Sequence, residues 1–331
     1  MRFHRIHCRL VIVRMQKVRE ELKWYLFRDI RDVITERDHL ERIECDMARV
    51  TRKPYQLCLQ IFFQEEFLRR LSGSKYAGNF ILKGGLFIYT LTNFESRPTV
   101  DIDFLLHHLE NNPDHMDQVL AEILATPAGN NDVVILTASK ATPFSLQRQY
   151  PGVSAQLIGH IKNVRVPFDV DIGVGDVIVP KAQKRVIKPL LAGFDAPEVL
   201  AYSLESTIAE KLDAILQRFE LTGRMKDFFD IYYLSHTFDF KGHILLEAIA
   251  QTLTTRGTPY EPSSFDRIVA LAEDADMRTK WRYFIRTMQS NDLALTDVIA
   301  GIDVFLRPVW DAMIGNTEFQ RAWDANTMQW V

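Results

Sequence analysis

The segment FILKGGLFIYTL, residues 80–91, has the pattern of a strand, a tight turn and a helix in succession. Its apolar start predicts a short buried strand that ends at Lys83, and its apolar second half predicts a buried helix from Leu86 onward. Gly84 and Gly85 stand at the junction, where the absence of side chains lets the backbone approach a ligand closely. Since helix starts attract anions, this junction is a candidate phosphate site, to which Lys83 adds a positive charge.

A paired acid follows sixteen residues after the second glycine, in the segment VDIDFLL, residues 100–106. Side chains two positions apart lie on the same face of a strand, so Asp101 and Asp103 are predicted to point the same way. Mg²⁺ binds one or two carboxylates together with phosphate oxygens and water. A D-x-D pair alone is common on protein surfaces, but this one follows a glycine-rich junction. The combination favours a site for Mg²⁺ (or Mn²⁺) and a nucleoside triphosphate.

A third carboxylate is expected from the segment VPFDVDI, residues 166–172. Its alternation predicts a strand on which Asp169 and Asp171 share one face, so periodicity does not choose between them. Either acid, on a neighbouring strand, would complete a two-metal site of the kind used in phosphoryl transfer.

The remaining pattern alternates helices and strands, which indicates a mixed α/β (α+β) fold. The expected elements are a helix over 55–71, a helix over 114–125, a strand over 132–136, a hairpin of strands 153–161 and 164–174, and a long helix capped by Ser203. Strand signals fade beyond residue 196. We therefore predict an N-terminal basic and helical extension (1–45), a nucleotide-binding core (46–197) and a helical C-terminal domain (198–331).

Composition narrows the class of protein without identifying it. The 331 residues are 47% hydrophobic and carry a formal net charge of -3, so nucleic-acid contact would depend on local basic patches such as residues 181–188. Three cysteines without C-x-x-C spacing argue against a disulfide framework and a structural zinc site, and favour a reducing cytoplasm. No apolar run reaches the roughly 18 residues that a membrane-spanning helix needs, so no membrane contact is expected.

Several spaced motifs carry a resemblance to a known family. They are, in chain order, QEEFLRRLS (64–72), LKGG (82–85), RPTVDID (97–103), DIGVGD (171–176), AEKLDA (209–214) and RMKDFFD (224–230). Their order and spacing resemble those of the AbiEii/AbiGii nucleotidyltransferase toxin family, over about residues 50 to 240. The N-terminal extension and the C-terminal end add little to the resemblance.

The resemblance implies a DNA-polymerase-β-like nucleotidyltransferase core, in a toxin encoded beside an antitoxin as a type IV toxin–antitoxin or abortive-infection pair. By this similarity Asp101 and Asp103 are the metal pair, and Asp171 is preferred over Asp169 as the third acid. Some relatives transfer nucleotides to the 3′ end of tRNA, so the resemblance implies an RNA acceptor.

The resemblance also implies roles for residues in the helical region. Lys211 resembles the helix lysine that contacts the nucleotide, while Asp227, with Asp230 behind it, resembles the acid of the last motif. Taken without the family pattern, Lys211 could equally be a solvated residue, and the charges of 224–230 could form ion pairs three residues apart. Arg97 could contact the nucleotide or pair with a nearby acid such as Glu95.

Two further functions stay open at this point. One is a nucleotidyltransferase that modifies a protein hydroxyl or a small molecule. The other is a module that binds nucleotide or antitoxin without turnover. The paired acid counts against the module, because two like charges on one strand face reduce stability unless a cation lies between them.

Overall fold

The computed structural model of the chain describes residues 54–128, 134–144, 152–191, 194–288 and 293–331. The predicted extension, residues 1–45, lies outside these ranges. Within them, helices surround a mixed sheet, which confirms the predicted mixed α/β fold.

An eight-stranded sheet forms the centre of the N-terminal half. Its strands are β1 (Phe80–Lys83), β2 (Ile102–Leu106), β3 (Ile135–Ala138), β4 (Thr142–Phe144), β5 (Gly152–Ile161), β6 (Val164–Gly173), β7 (Gln183–Val186) and β8 (Glu198–Ala201). The spatial order is β3-β5-β6-β2-β1-β8-β7, with β4 paired to β5. β2 runs parallel to β6, and β1 runs parallel to β8, whereas β1 and β2 are antiparallel.

Most of the expected strands are found where the alternating pattern placed them. The hairpin is confirmed in β5 and β6, which turn at Lys162 with a φ of 51°. The strand expected over 132–136 is described as β3, which begins three residues later. β2 begins at Ile102, so Asp101 lies immediately before the strand.

Nine α-helices are present in the described residues. They are α1 (Tyr55–Gly73), α2 (Gly84–Leu91), α3 (Pro113–Leu124), α4 (Leu204–Leu216), α5 (Met225–Thr237), α6 (Gly242–Arg256), α7 (Ser264–Ala270), α8 (Ala275–Thr287) and α9 (Leu295–Ile314). The expected cap of α4 is confirmed, because the Ser203 hydroxyl accepts a hydrogen bond of 3.0 Å from the amide of Ser206. Phe219 lies in a 3₁₀ turn just after the end of this helix.

Helix α1 packs on the sheet and buries charges as well as apolar residues. Glu65, Glu66, Arg69 and Arg70 are all buried, although the sequence pattern places them together as the charged part of an amphipathic helix. Arg69 donates hydrogen bonds to both glutamates, and Arg70 donates to Glu66 and to two backbone carbonyls. Pairing offsets the large cost of removing such charges from water.

The C-terminal region is mainly helical but not entirely so. Helix α4 packs against α5 and α6, while α9 packs against α5, α6 and α7. A small antiparallel sheet, absent from the sequence prediction, joins β9 (Phe240–Lys241), β10 (Ala322–Asp324) and β11 (Gln329–Trp330). Such two- and three-residue strands are too short to show an alternating pattern.

The sheet and the helices share one hydrophobic core, which extends from Cys58 in α1 to Trp323 in β10. β8 pairs with β1 and so belongs to the central sheet, although it follows residue 197. The division of the chain at 197/198 stays a prediction. Among the described residues, no helix combines the length and the apolarity needed to cross a membrane.

Candidate active site

Three neighbouring strands place a row of charged residues on one face of the sheet. Asp103 of β2 lies opposite Lys83 of β1 and opposite Asp171 of β6. Opposite residues in neighbouring strands point to the same face. Asp101 precedes β2 and interacts electrostatically with both Asp103 and Asp171. The pairing of β2 with β6 therefore places Asp103 beside Asp171, with Asp101 within electrostatic reach of both.

The carboxylates in this row oppose one another's ionisation. Burial raises the pKa of Asp101, and Asp103 and Asp171 raise it further. Burial also raises the pKa of Asp171, against a hydrogen bond from Ser154 and with further contributions from Asp103 and Asp169. A cation among these side chains would relieve the repulsion. Asp169 belongs to the same group of charges, so it stays an alternative third acid.

The two glycines let helix α2 begin against the carboxylate of Asp103. Gly84 has a φ of +68°, in the left-handed region that other residues rarely adopt. A Cβ atom on Gly84 would lie 2.0 Å from Oδ2 of Asp103, and one on Gly85 would lie 2.8 Å from Oγ1 of Thr99. Gly84 is thus needed to seat the predicted ligand Asp103, and Gly85 leaves room for Thr99, while their contact with phosphate stays a prediction.

Two glutamines of α1 hold the backbone beside Asp101. Gln60 and Gln64 are buried and donate Nε2 hydrogen bonds of 2.6 and 2.8 Å to the carbonyl oxygen of Val100. Sequence reasoning did not identify these positioning residues, because their partner is 36 to 40 residues away. Their only sequence signal is that polar side chains occur within an apolar helix.

A buried network of ion pairs connects α4, α5 and the segment before β2. Arg97 donates two hydrogen bonds of 2.7 Å to the carboxylate of Asp230. The ammonium group of Lys211 lies 2.5 Å from Asp230 and 3.3 Å from Asp227. Arg97 therefore pairs with Asp230 and not with Glu95, and Lys211 is buried rather than solvated.

The start of α5 contributes two more cations, Arg224 and Lys226, and one of the ion pairs three residues apart that the sequence allowed. Arg224 donates from Nε to Asp227 at 2.6 Å, yet 43% of its side chain stays exposed. Although burial opposes it, Lys211 and Arg224 hold the pKa of Asp227 below its ordinary value. Lys226 is exposed, and desolvation followed by repulsion from Arg224 and Arg97 lowers its pKa.

The ammonium group of Lys83 belongs to a second cluster of charges. It lies 2.6 Å from Asp176 and 3.1 Å from Glu210. Arg256 of α6 contacts the same two acids at 2.8 and 2.9 Å, and Tyr202 donates to Glu210 at 2.7 Å. This cluster joins the sheet to α4 and α6 and was not foreseen from the sequence. The predicted contact of Lys83 with a triphosphate stays a prediction.

The chemistry of the strand acids fits a hard divalent cation. Carboxylate oxygens are the donors that Mg²⁺ prefers, and it commonly binds one or two of them with substrate phosphates. Within the described residues, no three His, Cys, Asp or Glu side chains are already gathered as a ligand group. The donor set therefore fits an ion held jointly by Asp101, Asp103 and the phosphates of a nucleotide.

A sequence profile and two solved structures resemble this chain. A sequence profile described as nucleotidyl transferase AbiEii toxin, type IV toxin–antitoxin system, matches residues 66–316. The fold is similar to that of MenT4, a nucleotidyltransferase toxin from Mycobacterium tuberculosis H37Rv, with 14% identity, a TM-score of 0.50 and coverage of 87% of this chain and 100% of that one. JHP933 from Helicobacter pylori has 14% identity and a TM-score of 0.45 over 79% of this chain and 94% of that chain. No curated protein matches.

Proposed function

Because the chain belongs to the nucleotidyl transferase AbiEii toxin family of type IV toxin–antitoxin systems, it is a toxin nucleotidyltransferase, and we propose that it modifies RNA. The family implies an NTP as substrate and a cognate antitoxin as partner. The proposed reaction transfers a nucleoside monophosphate to the 3′ end of tRNA in the cytoplasm, with Mg²⁺ (or Mn²⁺) as cofactor.

The observation that supports this reaction is the row of carboxylates on β2 and β6. Asp101, Asp103 and Asp171 interact closely enough that burial and mutual repulsion raise the pKa of the first and the last. We assign Asp101 and Asp103 as the ligands of the ion, with Asp171 as the third acid. When bound, Mg²⁺ would neutralise charge on the triphosphate and on the leaving pyrophosphate.

The transfer itself requires that an acceptor hydroxyl lose its proton and attack the α-phosphorus. The bond from this phosphorus to the bridging oxygen then breaks, and pyrophosphate leaves. In our proposal Gly84 and Gly85 present backbone amides to phosphate oxygens at the start of α2. Lys211 and Asp227 act at the same site by fixing the first turn of α5 against α4, since orientation contributes much of the rate in such reactions.

The test is to incubate the purified protein with Mg²⁺, total tRNA and each α-labelled NTP in turn. We expect label on RNA from at least one NTP, and a loss of at least about a hundredfold in Asp101→Asn and Asp103→Asn, since each removes charge stabilisation from the reacting phosphates. Asp114→Asn is the matched control, because the Asp114 side chain is 83% exposed on α3 and should leave the rate unchanged.

The other outcomes separate the alternatives. Pyrophosphate release without labelled RNA would contradict the tRNA acceptor and direct the search to a protein or small-molecule hydroxyl. Nucleotide binding without any pyrophosphate release, under all four NTPs, would support the non-catalytic module instead. Full activity of both Asp variants would contradict the assignment of the metal site.

A further inference from the structure

The cations around the candidate site fall into two groups that differ in how their charges are used. Three of them are enclosed and fully engaged: the side chains of Lys83, Arg97 and Lys211 are only 13%, 9% and 9% exposed. Each contacts at least one buried carboxylate at 2.7 Å or less. Moving any of these charges onto a substrate would take a short ion pair away from a buried carboxylate, which is unfavourable.

The second group consists of Arg224 and Lys226, at the start of α5. Among the residues that the structure describes, the guanidinium of Arg224 forms one hydrogen bond, from Nε to Asp227, which leaves the donors of its two terminal nitrogens available there. Lys226 is exposed and forms no ion pair with any described residue. Both cations act electrostatically on the strand acids: Arg224 interacts with Asp103, and Lys226 interacts with Asp101, Asp103 and Asp171.

We propose that Arg224 and Lys226 bind the β- and γ-phosphates of the nucleoside triphosphate, whereas Lys83, Arg97 and Lys211 hold the surrounding elements in place. The assignment rests on the proposed function, because it takes an NTP as the substrate of the same site. It also specifies which residues contact the phosphates: the two cations at the start of α5, in place of Lys83 of β1 and Lys211 of α4.

The arrangement of charges favours a polyphosphate over a single phosphate. A fork of guanidinium donors binds two phosphate oxygens at once, and an adjacent ammonium adds a point charge. Asp227 orients Arg224, and Asp227 is itself fixed by Lys211. Repulsion from Arg224 and Arg97 acts on Lys226, so an anion between these cations would be stabilised by all of them.

The experiment compares equilibrium binding of ATP, CTP, GTP and UTP with that of the four matching NMPs, in the presence of Mg²⁺. The unmutated protein is expected to bind at least one NTP more tightly than its NMP. Arg224→Met and Lys226→Met should each weaken NTP binding about tenfold and leave NMP binding within about twofold, since one charge-assisted contact to phosphate is lost. Lys226→Arg keeps the charge and should restore most of the affinity.

Lys140→Met is the matched control, because Lys140 lies between β3 and β4 with 75% of its side chain exposed, 3.7 Å from an exposed aspartate. It changes the net charge equally and should not alter NTP binding.

Unchanged NTP affinity in both site variants would overturn this assignment while leaving the proposed function intact. Weaker binding of bulk tRNA with normal NTP binding would overturn it as well, because the phosphate would then belong to the acceptor. Absence of NTP binding by the unmutated protein would overturn the proposed function and this assignment together.

Discussion

At the scale of single residues, the identity of a side chain does not settle its role here, because burial and pairing decide it. Lys211 and Lys226 carry the same charge on neighbouring helices. Lys211 is enclosed between two carboxylates, whereas Lys226 is exposed and without an ion pair among the described residues. Gly84 also depends on its surroundings, because its missing side chain leaves room for the carboxylate of Asp103.

Replacing Gly84 by alanine should damage the site more than the fold. The left-handed backbone at φ +68° costs a non-glycine residue about 1 to 2 kcal/mol, and the new Cβ would lie 2.0 Å from Oδ2 of Asp103. We expect a moderate fall in the free energy of unfolding and a loss of nucleotide transfer of more than tenfold, because Asp103 must move.

Gly78→Ala is the matched control, because a Cβ atom there meets nothing within 4 Å. Denaturant unfolding and transfer rates should show little change for this variant. A normal rate of nucleotide transfer by Gly84→Ala would contradict the view that activity requires Asp103 to lie against the start of α2.

At the scale of elements, helices α1 and α5 differ from ordinary surface helices because both bury charges. α1 buries two glutamates and two arginines against the sheet, and α5 buries two aspartates against Arg97 and Lys211. Such helices depend on their neighbours, because each buried charge is stable only while its partner stays in place.

Glu65 of α1 should make the stability of the protein fall as the pH rises toward neutrality. Burial, opposed chiefly by Arg69, raises the pKa of Glu65 from 4.5 to about 7. A raised carboxyl pKa means that the folded state binds more protons than the unfolded state, so stability is lost between pH 4.5 and 7. The loss is on the order of 3 kcal/mol.

Glu65→Gln removes this ionisation and should flatten the pH dependence relative to the unmutated protein, as measured by denaturant unfolding from pH 5 to 8. The Gln side-chain oxygen can still accept the 2.8 Å hydrogen bond that Glu65 receives from the amide of Leu190. If stability depends on pH in the same way in both proteins, the pKa of Glu65 is not raised in the folded state.

Lys211 should be one of the most sensitive positions for the stability of α4 and α5. Lys211→Met leaves Asp227 and Asp230 buried beside one cation fewer, and we expect a loss of about 3 kcal/mol or more in the free energy of unfolding. Lys184→Met, at an exposed pair, should cost less than about 1 kcal/mol. Equal losses in the two variants would contradict the role of Lys211 as a buried anchor.

At the scale of the whole molecule, the site lies where the sheet meets the helices. Strands supply Asp103 and Asp171, while α4 and α5 supply Lys211 and Asp227. Two separate charge networks and one hydrophobic core cross the same boundary. The geometry of the site therefore depends on the two regions staying docked.

The two regions should consequently unfold together. Four of the five tryptophans lie beyond residue 280, so fluorescence of a Trp24→Phe variant reports only on the C-terminal region, while circular dichroism reports on all of the chain. We expect the two signals to share one unfolding midpoint in urea. Arg256→Met breaks contacts with Asp176 and Glu210, so it should lower the midpoint of both signals by the same amount. Two separate midpoints would instead support independent domains divided near residue 197.

Local patterns were sufficient to predict much of this protein. Alternation predicted the β5–β6 hairpin, and a serine before an apolar face predicted the start of α4. These features depend on neighbours in the chain, so periodicity and capping chemistry determine them. The spaced motifs likewise identified the family that the profile match shows.

Tertiary structure alone decided the partners of Arg97 and Lys83. Arg97 pairs with Asp230 across 133 residues, and Lys83 pairs with Glu210 across 127, so no local pattern could indicate either contact. The small sheet of β9, β10 and β11 was missed because its two- and three-residue strands are too short to show alternation, and because β9 pairs with β10 far along the chain. Electrostatic roles follow from burial and distance, and both arise only when the sheet and the helices pack together.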